Sequence, residues 1–222
     1  MVLTENWTLN PRPSMSDLVD IAVEAESAGV DGVMVSDHVV LGPSSNESGE
    51  ALNLRDYAMP GNQDPATPWP SPYVLLAAIA ARTASLRLVL GAIVSPLRHP
   101  LITAKDLGTL DLLSNGRLVV LPTVSWHRDE YAALGVDFHR RGEILDEQLD
   151  VWRQVWTTSP VAFHGRHYDF EDGWVEQTYL PDELAGERFF DPSAYGDEAE
   201  LVRRWRQRTR QTDVEPSEPT VE

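Results

Sequence analysis

Asp37 and His38, at the end of an apolar run, are the residues best placed in this sequence to handle a proton. Val30 to Val35 reads as a buried strand, and Ser36-Asp37-His38 follows at its carboxyl end, where backbone pairing stops and side chains can face a ligand. Histidine is the side chain that most readily holds or passes a proton near neutral pH. Asp37 can meet a ligand or only orient its neighbour, and His38 can instead cap the strand by hydrogen bonding. Two more strand ends carry candidates. Gly91-Ala92-Ile93 lies inside an apolar run, where glycine marks a bulge, a close backbone approach or simple packing. Thr123 and Ser125 close a third run, and their hydroxyls can hydrogen-bond a ligand. Arg98 can meet an anionic ligand or a carboxylate of the protein itself.

Other chemistries find no support. The chain has no cysteine, so thiolate nucleophiles, disulfides and zinc–thiolate sites are excluded. His127, His164 and His167 are scattered without a carboxylate pattern, so no metal site is expected. Neither a G-x-S-x-G elbow nor a phosphate-binding P-loop is present.

The elements that must position these residues are legible in one stretch, Leu86 to Leu121. Leu86, Leu88, Val89, Leu90, Ile93 and Val94 form a near-continuous apolar strand, and Leu118 to Leu121 form another. His99-Pro100 opens a helix between them, and Ser114-Asn115-Gly116 closes it with residues that accept a left-handed backbone. Two buried strands joined by a helix make a βαβ unit with parallel strands, and such folds place ligands at the carboxyl ends of their strands. Upstream, a helix capped near Ser14 to Ser16 presents Leu18, Ile21, Ala22, Ala25 and Ala28 on one face and ends at Gly29. Residues 39 to 70 read as a long loop. A helix from Pro72 to Ala84, with Ser71 as cap, is apolar nearly all round and should be buried. Downstream come a short helix ending at Gly135, a helix from Arg140 to Trp156, and a β-hairpin over Val161 to Phe170.

Composition bounds the partners. The net charge of −17 argues against nucleic acid and anionic membranes, which repel an acidic surface. No stretch is long enough to span a bilayer and the first residues lack a signal-peptide pattern, so a cytoplasmic location is the default expectation. Arg203, Arg204, Arg206, Arg208 and Arg210 form a local basic face at helical spacing.

The run SPLRHPLITAKDLGTLDLLSNGRL and the pattern W-x-x-x-E-Y-x-x-L-G from Trp126 to Gly135 resemble the bacterial luciferase-like monooxygenase family. EAESAGVDGVMVSDH (Glu24 to His38), RRGEILDEQLDVWRQVW and FHGRHYDF (Arg140 to Phe170) agree with it in family order. The resemblance implies a TIM-type barrel binding reduced FMN or the deazaflavin coenzyme F-420. It also places His38 near the flavin or deazaflavin ring. Gly91-Ala92-Ile93 then falls where the family often bulges behind that ring, sometimes with a non-proline cis peptide. Many relatives carry Gly-x-Gly-x-Gly where this chain has Leu121, Thr123 and Ser125. Some deazaflavin-using sugar-phosphate dehydrogenases carry a glutamate acid at the position of Trp126, which has no such proton to give.

At 222 residues the chain is short for an eight-stranded barrel, which typically takes about 250. Only Met1 to Leu3 can serve as the family's opening strand, and its later strands and phosphate loop are not recognisable after Glu176. The expectation is therefore an incomplete barrel of parallel βα units over residues 1–176 with a small hairpin insertion. An irregular segment with an amphipathic helix would follow over 177–212, and a disordered acidic tail over 213–222. The function expected is a flavin- or deazaflavin-dependent oxidoreductase acting on a small organic substrate. Asp37, Gly91, Ala92, Ile93, Thr123 and Ser125 would stand at the cofactor, with His38 as the proton-handling group. The alternative is a shortened, non-catalytic flavin binder or dimer partner of a longer relative. Either way an unclosed barrel leaves apolar surface uncovered, so a homodimer or hetero-oligomer is expected.

Overall fold

A computed structural model describes residues 1–4, 14–42, 69–158 and 160–173. The expected irregular segment, amphipathic helix and acidic tail beyond residue 176, and most of the 39–70 loop, lie outside the described residues. Three strands, β1 (Gly32–Val35), β2 (Arg87–Val94) and β3 (Leu118–Thr123), form one sheet in that order. Both pairings are parallel: Val33 lies beside Leu88, and Leu88 beside Leu118. Met1–Leu3 extends the far edge of β1: Val2 bridges Met34 in parallel, and Leu3 N–H donates to the Met34 carbonyl at 2.8 Å.

The connections are helical because local chemistry starts and stops them. Ser14 caps α1 (Met15–Ser27) in a reciprocal capping box with Asp17. Its apolar stripe, Leu18, Ala22 and Ala25, is buried. The chain turns out of it at Gly29, whose φ of +80° suits glycine, so β1 starts at Gly32 rather than at Val30. Helix α3 (Pro100–Ser114) is capped by the His99 side chain and ends at Asn115 with φ +54°, as its closing residues require.

Helix α2 (Pro72–Ala80) stops a turn short of the expected Ala84. The reason lies in tertiary hydrogen bonds at the amino-terminal end of the sheet. Arg117 reaches the carbonyls of Ala80 and Thr83 at 3.0 and 3.1 Å, and that of Leu86 at 3.0 Å. From the other side the Glu26 carboxylate accepts the backbone N–H groups of Ala84, Ser85 and Leu86. Those groups therefore have better partners than another helical turn. Nor is α2 buried all round, since Val74 is 70% exposed.

Val33, Val35, Leu88, Leu90 and Ile93 face the helices and form the core with Leu76, Ile79, Leu107 and Val151. Helix α5 (Arg141–Val155) closes that layer through Ile144, Gln148, Val151, Trp152 and Val155. The Trp152 and Trp156 indoles donate to the Pro100 and Ala104 carbonyls of α3. On the opposite face of the sheet Val119 and Leu121 are 44% and 57% exposed. Parallel sheets ordinarily bury both faces, so these residues mark a face that an intact barrel would line. The described strands form no closed barrel. The expected hairpin is present as antiparallel β4 (Val161–His164) and β5 (Asp169–Gly173). Glu147 of α5 holds its turn by accepting the N–H groups of Arg166, His167 and Tyr168.

Candidate functional site

At the carboxyl ends of the strands, the segment after β1 meets the loop and short helix α4 (Arg128–Ala133) that follow β3. His38 stands in this junction, its side chain only 12% exposed. The rings of Trp69 and Trp126 meet it edge-on at 4.7 and 6.2 Å, and His127 lies 6.5 Å away. Glu130 of α4 is fully buried and presents Oε2 at 3.3 Å from His38 Nδ1. Its other oxygen accepts the backbone N–H groups of Val39 and Val40 at 2.7 and 3.2 Å. His127 completes the latch, its Nε2 accepting the Gly42 N–H at 2.8 Å. Gly42 has to be small, because a Cβ there would run into the side chain of Asp129.

Asp37 is turned the other way. Its carboxylate takes both guanidinium nitrogens of Arg98, at 2.6 and 2.8 Å, and the Val94 N–H at 2.9 Å. The pair ties the end of β1 to the end of β2 and to the approach to α3. Of the two readings of Arg98, the carboxylate of the protein itself is the one observed, and Asp37 supplies it.

Gly91 and Ala92 are joined by a cis peptide bond, and the β2–β3 register shifts between Gly91 and Ile93. The bulge expected at Gly91-Ala92-Ile93 is therefore present. A side chain at position 91 would meet Met34. The Ile93 side chain is wholly buried in the core, so only its backbone is left to wall a site. Thr123 ends β3 beside Val94. Its hydroxyl accepts the Ser125 N–H at 3.4 Å, and the Ser125 hydroxyl accepts the His127 N–H at 3.4 Å. Ser125 has a φ of +58°, the turn that sends Trp126 and His127 toward His38.

Sequence reasoning does not single out Glu130, and it considers His127 only as a metal ligand. Glu130 is the glutamate of the W-x-x-x-E-Y pattern and follows His127-Arg128-Asp129 in the chain. Only its burial marks it. Tyr131, next in the chain, is buried against Phe138 and donates its hydroxyl to the Val124 carbonyl.

Burial pushes His127 below the ordinary histidine pKa of 6.5, against the opposite pull of the Glu130 and Asp129 carboxylates. With Nε2 accepting from Gly42, the proton sits on Nδ1, which is buried without a partner among the described residues. The unfolded chain therefore binds the proton more readily than the folded one. This contribution to stability is whole above pH 6.5 and is lost as pH falls below it. A His127→Gln protein keeps an acceptor for Gly42 but cannot titrate. Urea midpoints at about pH 7.5 and about pH 5.5 should therefore differ less in the variant than in the parent. His164, exposed and raised by Asp169 and Glu171, acts in the opposite direction but is common to both proteins. Equal differences in the two would show that His127 carries no such linkage.

Parallel βα units with a bulged strand are the framework of barrel-type α/β proteins, and the histidine-centred aromatic cluster lies at the strand carboxyl ends, the face where such folds place ligands. The chain belongs to the luciferase-like monooxygenase family, whose sequence model matches residues 1–183. It is 31% identical over 163 residues to an F-420-dependent glucose-6-phosphate dehydrogenase of Amycolatopsis mediterranei, covering 72% of this chain and 43% of that protein. A monooxygenase of Streptomyces bottropensis superposes with a TM-score of 0.55 at 27% identity, over 76% of this chain and 44% of the other. The oxygenating component of a Pseudomonas putida 3,6-diketocamphane monooxygenase, solved with FMN, superposes with a TM-score of 0.58 at 21% identity. That match covers 83% of this chain and 45% of the other. The chain thus spans less than half the length of each of these proteins.

Proposed function

We propose that this chain is an oxidoreductase that uses FMN or coenzyme F-420 on a small organic substrate, with His38 as its proton-handling group. The observation that carries the reading is the environment of His38: a mostly buried imidazole at a strand carboxyl end, edged by two indoles. Nearby, Trp69 Nε1 and His127 Nδ1 are buried donors without partners among the described residues. Aromatic edges and free N–H groups suit a planar heteroaromatic ring that carries acceptor atoms. The residues present therefore fit the ring portion of either cofactor.

Trp69, His38 and Trp126 would hold that ring, the Gly91-Ala92 bulge would back it, and Thr123 and Ser125 would offer hydroxyls to its edge or to the substrate. When bound, the cofactor supplies the hydride or the electrons that reduce oxygen. The protein contributes ring orientation, exclusion of water by the indoles, and a proton carrier at His38. Trp126 has no carboxyl proton to give, so turnover of a sugar phosphate by this chain is not proposed.

The test is a titration of the purified protein with FMN and with F-420, followed by visible absorbance and fluorescence. Saturable binding of one of them, with weak affinity, is the expected result. The affinity should be weak because the family's phosphate-holding loop is not recognisable in the sequence, and such loops supply backbone N–H donors to the phosphate. No binding of either would remove this reading and leave the non-catalytic partner of a longer relative in its place.

A further inference from the structure

The strand-end histidine has a buried acidic partner 92 residues away in the chain. Glu130 has no exposed surface, and each of its oxygens faces the segment after β1: Oε1 toward the N–H groups of Val39 and Val40, Oε2 toward His38 Nδ1. We propose that Glu130 is the positioning residue for His38. It holds the proton of the neutral imidazole on Nδ1 and so leaves Nε2 as the nitrogen that exchanges a proton with the substrate or cofactor.

The argument is one of donors and acceptors. A carboxylate has no proton to donate, so the nitrogen facing it must carry the hydrogen. The second ring nitrogen is then the acceptor, and the hydrogen bond on the first sets which one it is. Two backbone N–H groups fix the carboxylate, and the Trp69 and Trp126 rings border the imidazole edge-on at 73° and 76°. Orientation and tautomer are therefore set together. Among the described residues, the other charged or titratable groups nearby include His127, which accepts from Gly42, Asp129, which stands against Gly42, and the Asp37–Arg98 pair. The hydrogen bond described at His38 Nδ1 is the one to Glu130. A plain loop anchor would need only the bonds to Val39 and Val40, and would be indifferent to the state of the ring.

The consequence for kinetics rests on the oxidoreductase reading above; the tautomer does not. Heteronuclear NMR of the histidine ring nitrogens in the full chain reads the tautomer directly, with a His38→Asn protein identifying the His38 signals. The parent should show Nδ1 protonated and Nε2 bare. In Glu130→Gln the amide oxygen can keep the Val39 and Val40 bonds while the amide N–H turns to Nδ1. The tautomer should then reverse. With a cofactor that binds, kcat should fall by about tenfold or more while cofactor affinity holds. A parent with the proton on Nε2 would overturn the proposal even if the variant does not fold. So would an unchanged tautomer in Glu130→Gln, or a reversed tautomer with full turnover. If the parent binds neither cofactor yet shows the expected tautomer, the pair stands and the oxidoreductase reading falls.

Discussion

Arg98→Ala is expected to destabilise the fold by about 3–5 kcal/mol, the range found when one partner of a buried ion pair is removed. The Asp37 carboxylate has no exposed surface and takes two guanidinium hydrogen bonds, whereas Arg98 keeps 22% of its side chain in contact with solvent. Removing the arginine leaves Asp37 with one backbone donor, the Val94 N–H, and a charge that water reaches poorly. A typical domain is stable by only about 5–15 kcal/mol, so a large part of the fold's margin is at stake. Arg98→Lys should recover part of the loss, because an ammonium restores the charge but not the two-pronged geometry. Urea unfolding of Arg98→Ala, Asp37→Ala and the double variant measures the coupling. The double variant should lose clearly less than the sum of the single ones. Simple additivity would mean that the pair is a solvated surface contact. Because Asp37 precedes His38, the same substitution should also loosen the site, linking stability to chemistry through one carboxylate.

His38→Ala should lower kcat with the bound cofactor by about a hundredfold or more while changing cofactor affinity little, as expected of a group that moves a proton. The Trp69 and Trp126 rings stand nearly perpendicular to the imidazole, so the indole surface offered to a planar cofactor remains when the imidazole is removed. His38→Asn is the companion variant, since its amide can still donate toward Glu130 but cannot serve as a base near neutral pH. Similar losses in both would place the effect on the proton. Recovery in His38→Asn would make the residue a strand cap that only needs to satisfy Glu130. Equilibrium titration and steady-state rates with the same reduced cofactor separate these outcomes.

Much of the fold was legible because its signals are local. The apolar runs at Val30–Val35, Leu86–Val94 and Leu118–Leu121, the caps at Ser14 and His99, and the left-handed exit at Asn115 each depend on a few neighbouring residues. Those signals set the elements and the parallel crossover between them. They also placed His38, Thr123 and Ser125 at strand carboxyl ends, but left a bulge, a close approach and simple packing open at Gly91, where the register shift decides for the bulge. Where α2 would stop was not legible, because Arg117 and Glu26 reach it from other elements.

Side-chain partnerships at the site were decided only in three dimensions. Asp37 and Arg98 are 61 residues apart, and His38 and Glu130 are 92 apart. Nothing in the spacing of either pair distinguishes a ligand-facing group from one spent on the protein itself. Ile93 shows the same limit on a smaller scale: the bulge beside it determines which face its side chain takes, and the core claims it. The sequence by itself determined the parallel framework and the face on which its polar groups gather, because periodicity and capping act over a few residues. The tertiary structure decided which of those groups stay free, because strand register and helix docking bring their partners from distant parts of the chain.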